Sequence, residues 1–231
     1  MPTEHPLDRP GWSALTGRHA RFAIGHGGAR RYAPDYGVFA GVGDRSEAGS
    51  ADLATLVAEH GDVVILEPET PALVPGLIVT SQDVGVQMIA TRLVASPAPG
   101  TVMVKLDDED AAAMRALAAL TVPGPFFAQT HQLGDFFGVK IGGQLVAMAG
   151  ERIRLDGFTE VSGVCTHPDH RGCGYAGALM RLVAARIIDR GETPFLHAYA
   201  SNEGAIALYR RLGFVVRREI LMTWLGRGAG G

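Results

Sequence analysis

From residue 165 to residue 177 the chain reads CTHPDHRGCGYAG, and three chemistries compete for that stretch. Gly172, Gly174 and Gly177 spell G-x-G-x-x-G, a turn that lets backbone approach a dinucleotide. Cys165, His167, His170 and Cys173 carry atoms that ligate metals. Arg171, Gly174 and Ala176 spell R-x-x-G-x-A, a loop whose N–H groups and single guanidinium can hold a pyrophosphate where a helix begins.

Context separates the three. A dinucleotide turn follows its strand directly, but here the strand ends near Thr166 and His167–Arg171 intervene. That fold also wants an acid about 20 residues on, at the end of the next strand, to hold a ribose hydroxyl. The next strand, PFLHAYA at 194–200, has none, and Asp189 ends the intervening helix. The metal reading has the right residue types in a poor order. C-x-H-x-x-H-x-x-C puts Cys165 inside a strand and lacks the paired knuckles of structural zinc sites, so no metal is expected. The pyrophosphate reading accounts for more residues. Gly172 and Gly174 remove side chains that would block an anion, Ala176 and Gly177 keep the first helical turn small, and Pro168 bends the chain out of the strand.

The elements that must position these residues are clear in the second half. TVMVKL (101–106) reads as a strand and DDEDAAAMRALAALT as a helix with acids in its first turn. FFGVKIGGQLVAMAGERI is a hairpin, its turn supplied by Gly142 and Gly143. A strand at 158–166 precedes the glycine loop. YAGALMRLVAARIIDRG then places Leu179, Leu182, Val183 and Ile187 on one helical face. After the strand at 194–200, NEGAIALYRRLG is a helix with Asn202 as cap and Gly213 as stop, and FVVRREILMTWL closes the sheet. The order β-α-β-β-β-α-β-α-β predicts a mixed α/β fold. The first hundred residues read less clearly. A helix with Ser50 as candidate cap and Gly61 as stop, a strand at 62–67, and apolar runs at 76–80 and 86–94 stand out. Ala95–Gly100, ASPAPG, is the expected linker between an N-terminal α/β lobe (1–100) and the second domain (101–231).

Two stretches of this second domain resemble the GNAT superfamily of N-acetyltransferases. VCTHPDHRGCGYAGALM is similar to its acetyl-coenzyme A signature, and SNEGAIALYRRLGF to the motif that follows it; the likeness spans residues 101–225. The resemblance implies a GNAT fold there, with the N-terminal hundred either a degenerate copy of it or an unrelated small lobe. It implies that the backbone of Val164, Cys165 and Thr166 binds the pantetheine arm, and that Arg171, Gly172, Cys173, Gly174, Tyr175, Ala176 and Gly177 hold the pyrophosphate. Asn202 would touch the arm or brace its helix. Tyr209 would protonate the leaving thiolate, and Glu160 would take the proton of the attacking amine, with His197 as the substitute base. By alternation Glu160 shares a face with Ser162 and Val164, unless a bulge at Gly163 changes which side chains face the cleft. The expected reaction is direct transfer from acetyl-coenzyme A to a primary amine, releasing coenzyme A; a non-catalytic acyl-coenzyme A sensor is the rival.

Composition limits the partners. The formal net charge is −3, so no electrostatic footprint for nucleic acid or a membrane surface is expected. The chain's 2 cysteines build no disulfide framework, and the start MPTEHPLDRPGW has no leader pattern, which points to the cytoplasm. The acceptor, a small molecule or a peptide amine, and the oligomeric state are not legible. Acceptor contacts are expected from the N-terminal lobe and from VPGPFFAQTHQLGDFF.

Overall fold

The computed structural model describes residues 5–94 and 100–228. The first part contains α1 (Pro10–Thr16), β1 (Ala23–His26), β2 (Ala29–Tyr32), β3 (Ala40–Val42), α2 (Glu47–His60), β4 (Val63–Glu67) and β5 (Leu77–Ile89). The second contains β6 (Val104–Leu106), α3 (Ala111–Thr121), β7 (Phe136–Ile141), β8 (Gln144–Leu155), β9 (Phe158–Thr166), α4 (Tyr175–Asp189), β10 (Thr193–Tyr199), α5 (Glu203–Leu212) and β11 (Val215–Arg227). From residue 101 onward this is the predicted order of strands and helices. No helix among the described residues is long and apolar enough to cross a membrane.

The two halves share one sheet. β1, β2 and β3 form a small antiparallel sheet, and the other eight strands run in the order β4-β11-β5-β10-β9-β8-β7-β6. β5 lies between β10 and β11, antiparallel to both. Residues 77–80 of the first apolar run and 86–89 of the second therefore belong to one long strand. Its polar middle is exposed, and the stretch that pairs on both sides begins at Gly85. The expected boundary at residue 100 is consequently not an edge of the sheet, and most of the expected linker, residues 95–99, lies outside the described residues.

Apolar periodicity sets the layers. In α4, Leu179, Val183 and Ile187 recur at helical spacing and are fully buried against Val146, Ala147 and Leu196. Burying each such side chain contributes about 1.5–3 kcal/mol. On other strand positions Phe195, Ile220 and Met222 face Leu15, Phe22 and Tyr32 from the first forty residues. α3 seals a further cluster, with Met114 and Leu117 over Phe136, Met148 and Cys165. α2 starts earlier than expected: Ser46 caps it by accepting from Gly49 N–H at 3.1 Å, and Ser50 is buried within the helix. Gly61, at φ +82°, ends it as expected.

Candidate active site

The two parallel strands β9 and β10 pair over three positions only, ending with Phe195 opposite Glu160. Beyond that pair β9 continues along β8 to Thr166, while β10 continues along β5 to Tyr199. The strands part, and the edge of β9 that carries Val164, Cys165 and Thr166 has no β10 partner. An extended ligand can add to such an edge as a strand would.

A bulge shapes that edge. Between Met148↔Cys165 and Gly150↔Ser162, β9 has one residue more than β8, and Gly163 sits there at φ +62°. A Cβ on Gly163 would stand 2.9 Å from the Phe136 ring, so close approach and backbone angle both require glycine. The extra residue shifts the alternation. Val164 packs with Val161 against the α4 core, not on the face of Glu160 as strict alternation predicts. Cys165 turns to the α3 cluster, where burial pushes its thiol up to about 11, so it is no nucleophile at neutral pH. Cys173 is exposed, apart from buried Cys165. Among the described residues no group of three His, Cys, Asp or Glu side chains could hold a metal.

The loop after β9 leads into the mouth of α4. Gly172 and Gly174 adopt φ +80° and +78°, and a Cβ on either would meet open space. Backbone angle demands these glycines, and internal packing does not. Gly174 is the N-cap and gives no side-chain cap, which leaves the first N–H groups of a 15-residue helix without a side-chain partner, next to exposed Arg171. Cys173 is exposed in the loop, while Tyr175, Ala176 and Gly177 form the first turn and are half-buried. These features fit an anionic diphosphate.

Glu160 stands at the parting of the strands, but fully buried. Arg152 Nε and Nη2 donate to its two oxygens at 2.9 and 2.8 Å, and His197 Nδ1 lies 2.8 Å from Oε1. Burial alone would raise its carboxyl; Arg152 and His197 outweigh burial and hold it at about 2. A carboxylate so committed is a weak proton acceptor, and it does not line the neighbouring cavity. The base role expected for Glu160 therefore lacks geometric support. A second bulge brings the pair together: β8 has one residue more between Glu151↔Val161 and Arg154↔Thr159, opposite Glu160.

His197 is no freer. Gln87 Nε2 lies 3.0 Å from His197 Nε2 and donates to Leu7 O at 2.8 Å, while Arg217 donates to Gln87 Oε1 at 2.8 Å. A guanidinium only donates and a carbonyl only accepts, so the Gln87 amide has one orientation. The imidazole then carries its proton on Nδ1, toward Glu160, and accepts at Nε2. It is a satisfied core histidine that also forms part of a cavity wall.

That cavity, about 130 Å³, lies beside the strand opening. Tyr209 and Asn202 line it from α5 and its cap. Burial raises the Tyr209 hydroxyl above its ordinary range, so it is a protonated donor at neutral pH. Asn202 caps α5 by accepting from Ala205 N–H at 3.1 Å, and among the described residues its amide nitrogen has no hydrogen-bond partner. Phe39, Val64 and Leu66 of the first half and Pro123–Pro125 from the loop after α3 complete the wall, with Met222 and Trp224 from β11. Both regions expected to meet the acceptor border the cavity. Sequence reasoning missed Arg152, Gln87 and Trp224. The one available signal for Arg152 was that a glutamate inside a strand needs a cation.

Fold and site together define an acyltransferase. A family model described as FR47-like protein matches residues 137–223. A crystal structure from Novosphingobium aromaticivorans, of an acetyltransferase assigned to the GNAT family, is 44% identical over 98% of this chain and 100% of that one, with a TM-score of 0.90. A GCN5-related N-acetyltransferase from Kribbella flavida (21% identity, 95% of each chain, TM-score 0.67) shares the fold. So does a GCN5-related N-acetyltransferase-like protein from Streptococcus suis (15% identity, 95% of this chain and 92% of that one, TM-score 0.56). No curated protein matches the chain. The chain belongs to the GNAT family.

Proposed function

We propose that the protein transfers an acetyl group from acetyl-coenzyme A to a primary amine by direct attack within a ternary complex. The observation that carries this reading is the parting of β9 and β10 after Glu160 beside a glycine-led helix mouth. One edge offers backbone to an extended arm, and the α4 N–H groups with Arg171 offer a seat to a diphosphate. Val164, Cys165 and Thr166 take the first role, and Arg171 through Gly177 the second.

The chemistry balances as follows. The ammonium of the acceptor loses a proton to solvent, and its nitrogen attacks the thioester carbonyl. The C–N bond forms and the C–S bond breaks. Tyr209 gives its proton to the departing sulfur and recovers one from the amide nitrogen, directly or through water. The products are an N-acetyl amine, coenzyme A and one free proton. No carboxylate among the described residues lines the cavity, so the first proton leaves through water and not through Glu160. Glu160 instead fixes Arg152 and His197. Orientation of amine against thioester supplies most of the acceleration.

The test is a mass-spectrometric screen of amine mixtures with acetyl-coenzyme A. A mass gain of one acetyl group on an amine, with release of free thiol, supports the proposal. Thiol release without an acetylated amine contradicts it.

A further inference from the structure

We infer that the acceptor is a small primary amine that carries a carboxylate and a compact apolar body, and that Arg152 receives the carboxylate. The inference rests on the acyl-transfer reading above and names the substrate class of that same cavity.

Charge selects the class. Among the described residues the only permanently charged side chain lining the cavity is Arg152, and no acid lines it. An acceptor whose one charge is an ammonium finds no counter-charge there. An acceptor with a carboxylate finds a guanidinium. Arg152 spends Nε and Nη2 on Glu160, and among the described residues nothing bonds Nη1. Nη1 points to the loop that closes the cavity, 4.0 Å from where a Cβ on Gly124 would stand. A guanidinium whose other edge is already anchored can offer the remaining N–H groups at little entropic cost. The Phe39 ring lies 4.4 Å from Arg152 Cζ and holds its plane.

Shape selects the rest. A space of about 130 Å³ compares with the ~150 Å³ that accepts a benzene-sized group. Val64, Leu66, Met222 and Trp224 make its walls apolar. An α-amino acid with an aliphatic or aromatic side chain meets all three demands. A lysine side chain or the N-terminus of a long peptide has no carboxylate at the needed distance.

The experiment uses matched triples on the whole protein with acetyl-coenzyme A: leucine, leucinamide and isoamylamine, and phenylalanine, phenylalaninamide and phenethylamine. Rates are corrected for the fraction of free amine. The amino acids should exceed their amides and decarboxylated amines in kcat/KM by about tenfold or more, the size of one charge-assisted contact. In Arg152→Lys, which keeps a cation for Glu160 but loses the fork, that ratio should fall toward one. Equal or reversed preference in the unaltered protein overturns the inference, and needs no variant to fold. Preference retained in a folded Arg152→Lys overturns the assignment to Arg152. Absence of transfer to any amine overturns the acyl-transfer reading beneath it.

Discussion

Glu160 and His197 face each other at 2.8 Å across the last point where β9 and β10 still run side by side. Arg152 closes the group from β8. This cluster clamps the apex of the strand opening; Glu160 is fully committed within it, and Arg152 keeps only its Nη1 edge for the cavity. Glu160→Gln leaves a buried guanidinium without its counter-ion, which costs about 3–5 kcal/mol. Chemical denaturation should report that loss. The acid limb of the pH–rate profile should keep its midpoint, because a carboxyl held at about 2 does not titrate near neutrality. A shifted limb would return Glu160 to the role of base.

Tyr209 is the only hydroxyl-bearing side chain of α5, and it borders the cavity. Tyr209→Phe keeps the ring that packs on Phe214 and removes the hydroxyl proposed to protonate the departing thiolate. The expected result is a fall in kcat of about 10²-fold with coenzyme A affinity nearly unchanged. Stopped-flow turnover together with calorimetric titration separates the two quantities. Unchanged turnover would remove Tyr209 from the chemistry.

Gly174→Val combines a φ of +78° with a branched side chain at the helix mouth. The strain costs on the order of 1–3 kcal/mol, and coenzyme A affinity should drop at least about tenfold. Gly143→Val is the control, because Gly143 has φ +83° and open space around its Cβ but lies in the β7–β8 turn. It should lose similar stability and keep its affinity.

Acid should weaken the fold in two windows. Burial, helped by the charge of Arg154, lowers the His19 imidazole to about 4 from 6.5. Its contribution is complete above pH 6.5 and is lost as pH falls toward 4. Glu160, about 2 when folded against 4.5 when free, contributes fully above pH 4.5 and loses that contribution between pH 4.5 and 2. Urea midpoints measured from pH 8 to pH 3 should fall in both windows. His19→Asn should flatten the first.

The legible parts of the sequence were those governed by local rules. The helical stripe of α4, the Gly142–Gly143 turn, the Asn202 cap and the loop from Arg171 to Gly177 all follow from residues within a few positions of one another. Non-local pairing was hidden. Nothing near Leu77–Ile89 says that this strand enters a sheet between β10 and β11. The bulge at Gly163 was readable from a glycine inside the strand, and it reverses the facing of the residues after it; the bulge beside Arg152, which creates the Glu160 ion pair, had no such local signal. Ser46 was overlooked as a cap because Ser50 lies nearer the apolar stripe. The cavity walls Phe39, Val64 and Leu66 carry no chemistry of their own, and only the fold brings them to Tyr209.

The most direct test of the account is a crystal structure with acetyl-coenzyme A bound. Diphosphate oxygens should lie within hydrogen-bond distance of the backbone amides from Gly172 to Gly177, with the pantetheine arm along Val164–Thr166 and the thioester sulfur beside the Tyr209 hydroxyl. A diphosphate seated away from the α4 mouth, or an arm that avoids the edge of β9, would contradict it.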